Sequence, residues 1–146
     1  MVMLRSNRPD MRDLALLAHI VIGLAIAVLS MLILLELRKK SSLLSGLSLL
    51  AAALSWLLLL PAGVLYINFY PATKMLIKAG PWPWAHSIVM ETKEHWGLLL
   101  PVIATVAAGL VLTGRRKESW RWWILLLLLT LLIGVMGRIV VMGASA

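Results

Sequence analysis

The chain has no cysteine, which removes disulfides, thiolate-held metals, thioether attachment of haem and cysteine-ligated iron–sulfur clusters. Charge is scarce as well. Only 14% of the residues are charged, where a soluble domain carries about 25%. Acids are the rarer sign, with six Asp and Glu against 14 Lys and Arg. The formal net charge of +8 is not spread evenly. It sits in short clusters beside apolar runs, a placement that suits lipid headgroups and membrane orientation better than nucleic acid. There is no nucleophile triad, phosphate-binding loop, dinucleotide fingerprint or known metal-ligand spacing. No internal repeat, low-complexity tail or separate soluble domain breaks the pattern.

What the chain does have is apolar length. Of its 146 residues 62% are hydrophobic, with a mean hydropathy of +0.96, and the excess is gathered in blocks long enough to span a bilayer. The pattern predicts an all-α integral membrane protein, a single domain folded as an up-down-up-down bundle of four transmembrane helices. The helices are expected at about 14–37, 43–66, 84–113 and 120–142, with a connector over 67–83. A basic lead before the first block resembles a signal peptide, but the apolar run continues to Leu35, well beyond a signal core of roughly 7–15 residues. It reads as a retained helix. Trp96, Trp120, Trp122 and Trp123 mark interfacial belts.

Charge gives orientation less clearly. The first and third loops hold Arg38, Lys39, Lys40, Arg115, Arg116, Lys117 and Arg121. The opposite side holds Arg5, Arg8, Arg12, Lys74, Lys78, Lys93 and Arg138, an equal number. The first set is packed into short loops with only Glu36 and Glu118 as counter-charges, which favours those loops as cytoplasmic. Glu36 is expected to pair with Lys39 or Lys40. The cell membrane of a prokaryote is the expected location.

The strongest functional signal is the stretch from Trp82 to Pro101, where acids, histidines and aromatics crowd at the lip of an apolar run. At about 1.5 Å per residue, His19, His95 and Arg138 each lie about 27–30 Å from the basic-loop end of their helices. Three helices therefore bring a strong polar group to one level. Glu91 and Glu94 lie a turn further out, and Tyr66 and Asn68 are near the same face. On an α-helix Glu91 and His95 share a face, while His86 falls on the side opposite His95 unless the helix begins after it. Gly23 and Gly134 lie one turn from His19 and Arg138 and leave room for a flat ligand.

These positions support four expectations. The first is a small membrane subunit of a respiratory-type electron-transfer system. In it, His19 and His95 ligate haem b, Arg138 meets the propionates and Gly23 and Gly134 admit the macrocycle; or else a quinone binds, with Glu91, Glu94, His95 and Tyr66 handling protons. The second is an accessory or structural subunit of a larger complex, its polar cluster a lock between helices with Arg138 paired to Glu91 or Glu94. A metal held by His19 and His95 with the two glutamates is the third. The fourth, a transporter or proton path, is opposed by the lack of a polar track through the other half of the bundle. The expected partners are the lipid bilayer and other membrane subunits or further copies of the chain. Each residue also has a plainer reading: the glutamates offset a helix dipole, His19 and Arg138 reach headgroups, and His95 sits at the interface beside Trp96.

Overall fold

A computed structural model describes residues 10–39 and 42–146 of the chain. Arg5, Arg8 and Lys40, which enter the charge comparison, lie outside the described residues. Among those described, all regular structure is helical. Four helices are long and apolar enough to cross a membrane: α1 (Met11–Glu36), α2 (Leu44–Ala79), α3 (Ala85–Leu112) and α4 (Arg116–Ser145). These properties are compatible with an integral membrane protein. Helix α1 packs on α2 and α4, and α3 packs on the same two neighbours, so α1 and α3 face each other diagonally.

The core follows a seven-residue rhythm that the sequence carries openly. Most buried positions run 26, 30, 33 on α1, 44, 48, 51, 55, 58 on α2, and 119, 123, 126, 130, 133, 140 on α4, with Ala27 and Leu129 buried beside the seam. Spacings of three and four keep one seam facing the neighbours, as in left-handed coiled coils. Many of these positions are small. Ser30, Ser48 and Ser55 are fully buried, and each hydroxyl donates to the carbonyl four residues back at 2.8 Å. Thr130 does the same to Leu126 at 2.7 Å. These hydroxyls are satisfied within their own helices, so they let backbones approach without forming a polar track. Large apolar side chains such as Leu24, Leu60 and Leu128 point outward, the reverse of a soluble protein.

Prolines explain the irregularities. Each removes a donor and crowds the carbonyl four residues earlier. Pro61 interrupts α2 at Leu58, and Pro101 interrupts α3 at Leu98. Pro71 is accommodated by a π-helical turn at Leu65–Phe69, where the Tyr70 N–H reaches back five residues to the Leu65 carbonyl. A second π-helical segment, Ala85–Met90, opens α3.

The structure differs from the sequence expectation in two places. The connector expected over 67–83 is helical to Ala79, because the π-turn absorbs Pro71 instead of ending the helix. The non-helical link shrinks to 80–83, and α2 has 36 residues, about 54 Å. Trp123, expected in an aromatic belt, has no exposure and lies in the core, while Trp120 and Trp122 beside it are exposed. Its position on the seven-residue seam decides this.

Candidate functional site

The extension of α2 beyond its π-turn, the π-helical start of α3 and the last turns of α4 form a second small core. Tyr70, Ile77, Ala85, Val89, Met90 and Val140 are buried there. Gly143 makes the approach possible: a Cβ on it would lie 2.8 Å from the Cβ of Ala85. This end of the bundle carries the polar groups.

They fall into two sets. The outer set is Tyr70, His86 and Glu91. His86 is only 4% exposed. Its Nδ1 lies 2.7 Å from the Tyr70 hydroxyl, and its Nε2 lies 3.6 Å from Oε1 of Glu91. The arrangement that satisfies both contacts has Tyr70 donating to Nδ1 and the Nε2–H directed at the carboxylate. Tyr66 stacks on Tyr70 with ring centroids 5.5 Å apart. The π-turn creates this set. The Glu91 N–H bonds back to the His86 carbonyl, five residues earlier, and that wider turn stacks the two side chains. An uninterrupted α-helix puts them well apart and pairs Glu91 with His95, which is why the sequence reading left His86 aside.

The inner set is His19, Tyr66, Lys93 and Glu94, drawn from α1, α2 and α3. The Lys93 chain passes over α4 at Gly137, where an added Cβ would meet its Cε at 3.4 Å. Lys93 lies near enough to His19 and to Glu94 to act on both electrostatically. The Tyr66 hydroxyl is turned toward the Glu94 carboxyl. Nδ1 of His19 and Oε1 of Glu94 are buried without a hydrogen-bond partner. Three helices therefore contribute polar side chains with unused capacity, and α4 lies against them through Gly137.

The remaining candidates lie elsewhere. His95 is exposed, and its Nδ1–H donates to the Glu91 carbonyl oxygen at 2.6 Å. The two histidines are not bonded to one another: His95 is bonded to its own helix, and His19 Nδ1 has no partner. Arg138 is exposed and makes no ion pair among the described residues, so a lock through Glu91 or Glu94 is not formed. Gly134 is exposed, Gly23 is half-buried, and neither has an atom within 4 Å of an added Cβ. Asn68 donates to the Val64 carbonyl of its own helix at 3.2 Å. No group of three or more His, Asp or Glu able to hold a metal occurs among the described residues. In the sequence Lys93 counts only among the basic residues of this side, and Gly137 and Gly143 carry no expectation. Glycines at 137 and 143 on the buried seam of α4 were the available signal.

At the other end the expected pairing of Glu36 holds, with Lys39 Nζ at 3.1 Å from its carboxylate. Arg115 pairs with Glu118. Comparison with protein-family models, with curated proteins and with solved structures finds no match, so a functional reading rests on the residues themselves.

Proposed function

We propose that the chain is a small integral-membrane subunit of a quinone-linked electron-transfer system, inserted in a prokaryotic cell membrane as an up-down-up-down bundle. The first and third loops face the cytoplasm, and the quinone head occupies the inner polar set near the opposite face. One observation carries this reading: two buried polar atoms, His19 Nδ1 and Glu94 Oε1, lack partners beside the Lys93 chain. Buried polar atoms without partners are rare and commonly mark a functional group or an absent ligand. A quinone head is flat and apolar, with two carbonyl oxygens that accept hydrogen bonds. Lys93 and Tyr66 supply donors, and Glu94 supplies a carboxyl that takes up or releases a proton. Reduction of a quinone consumes two electrons and two protons. In this reading the electrons come from a partner subunit and Glu94 serves proton exchange. The geometry favours quinone over haem b, since His95 is turned outward and bonded to its own helix.

The test is to incorporate the purified protein into vesicles saturated with quinone, re-isolate it, and measure bound quinone by solvent extraction and chromatography. About one quinone per chain is expected. Lys93→Met removes a charge-assisted hydrogen bond of about 1.5–3 kcal/mol, which lowers retention about tenfold to a hundredfold. Absence of quinone from the wild-type protein overturns the reading. A reduced-minus-oxidised spectrum on the same sample checks haem, whose α-band would have to disappear in His19→Ala.

A second reading is favoured by the outer set. The Tyr70–His86 contact fastens α2 to α3 and is fully used in doing so. If no quinone binds, the chain is a non-catalytic accessory subunit whose polar end locks its helices for assembly with membrane partners.

A further inference from the structure

The basic end carries an independent feature. A groove of about 450 Å³ opens between the last turn of α1 and the first turns of α4. Leu34, Leu37, Ile124 and Trp120 form its walls, and Arg38, Arg116 and Lys117 stand at its rim. The leucines and Ile124 are half-buried and Trp120 is exposed. The acids at this end are engaged, Glu36 with Lys39 and Glu118 with Arg115. No acid lines the groove, and the three rim cations make no ion pair among the described residues.

We propose that this groove binds an anionic phospholipid, with its phosphate held by Arg38, Arg116 and Lys117 and the start of an acyl chain lying against Leu34, Leu37 and Ile124. Three unneutralised cations call for an anion, and guanidinium groups suit phosphate through paired N–H donors. The first N–H groups of α4 add positive potential at the same rim. The apolar wall runs from Leu37 to Leu34 and from Trp120 to Ile124, one turn along each helix away from the rim. A free phosphate has no use for that wall, whereas a lipid fills both parts. Basic recesses between membrane helices recognise anionic headgroups in this way. Trp120 stands where tryptophan favours the headgroup level. The inference rests on membrane insertion but not on quinone binding, which is read at the opposite end of the bundle.

The experiment is native mass spectrometry of the full chain in mild detergent, titrated with phosphatidylglycerol and, separately, with phosphatidylcholine. The wild-type protein is expected to retain the anionic lipid at least tenfold better. The triple variant Arg38→Gln/Arg116→Gln/Lys117→Gln should bring the two lipids to parity. A control with the same loss of charge, Lys74→Gln/Lys78→Gln/Arg138→Gln, should keep the preference. Ile124→Asn should weaken retention of phosphatidylglycerol while leaving competition by soluble glycerol phosphate unchanged. Equal retention of both lipids by the wild type overturns the proposal. So does an equal loss in the charge-matched control, which means net charge alone. Full displacement of the lipid by equimolar glycerol phosphate also overturns it, in favour of a plain anion site. Circular dichroism confirms that each variant keeps its helices.

Discussion

Two polar sets share one end of this bundle, built from the same kinds of residue, and they differ in whether their bonds are made. In the outer set, Tyr70, His86 and Glu91 use one another. In the inner set, His19 and Glu94 hold buried atoms that nothing in the protein meets. A satisfied buried network rigidifies its surroundings, while an unsatisfied one costs stability that a ligand or an ordered water restores. The comparison sets a fastening role for one set against the binding role proposed for the other. It also makes opposite predictions for the two sets when either is cut.

The largest expected effect is on the seam that holds the outer set in place. Gly143→Val puts a branched side chain where even a Cβ lies 2.8 Å from that of Ala85. Neither carbon can rotate away, so α4 must shift from the π-helical segment. Overpacking of this kind costs about 1–3 kcal/mol, and the upper part of that range is expected here. Thermal unfolding in detergent should show it, with an unchanged midpoint breaking the assignment of Gly143 to a close contact. Next comes His86→Phe, which keeps the bulk of the ring but leaves the Tyr70 hydroxyl without its partner. A loss of about 1–2 kcal/mol is expected, less than for a fully enclosed pair because the Glu91 side chain is 47% exposed. Bound quinone should be unchanged.

The inner set should respond with the opposite sign. Glu94→Leu removes a half-buried carboxyl whose Oε1 is enclosed without a partner and replaces it with an apolar group. Stability should hold or rise, by up to about 1 kcal/mol, while quinone retention falls at least tenfold. A clear loss of stability instead would mean that Glu94 is a structural partner and that the two sets are one lock.

How much of this was legible beforehand differs by level. The four helices were legible because twenty or so apolar residues in a row have few other uses. The core seam was also present in the sequence, since Ser119, Trp123, Leu126, Thr130 and Ile133 on α4 follow alternating four- and three-residue steps, with Leu129 buried beside them. What misled was the assumption of constant helical pitch. Pro71 looks like a helix terminator, yet a π-turn carries α2 past it to Ala79. A second π-turn moves His86 under Glu91 and leaves His95 outside. Estimates of depth survive such an insertion because they depend on residue number. Estimates of facing do not, because one extra residue per turn rotates everything beyond it. The level of the polar groups was therefore readable from the chain, and the pairing among them was not.

His95 gives the smallest expected effect and the sharpest separation of hypotheses. Its Nδ1–H donates to a carbonyl of its own helix, and the ring is exposed. Truncating it to Ala removes a local bond that water replaces, so stability should change by no more than about 0.5 kcal/mol. Quinone retention should stay near the wild-type level, because the ring lies outside the inner set and its charge is the smallest of the influences on Glu94. Haem ligation demands the reverse: an iron bound by His95 would lose an axial ligand, and the absorption spectrum would change outright. A silent His95→Ala beside a responsive Lys93→Met assigns the chemistry to the inner set. A silent Lys93→Met beside a spectral change in His95→Ala would instead require α3 to rotate in the working protein and bring His95 inward.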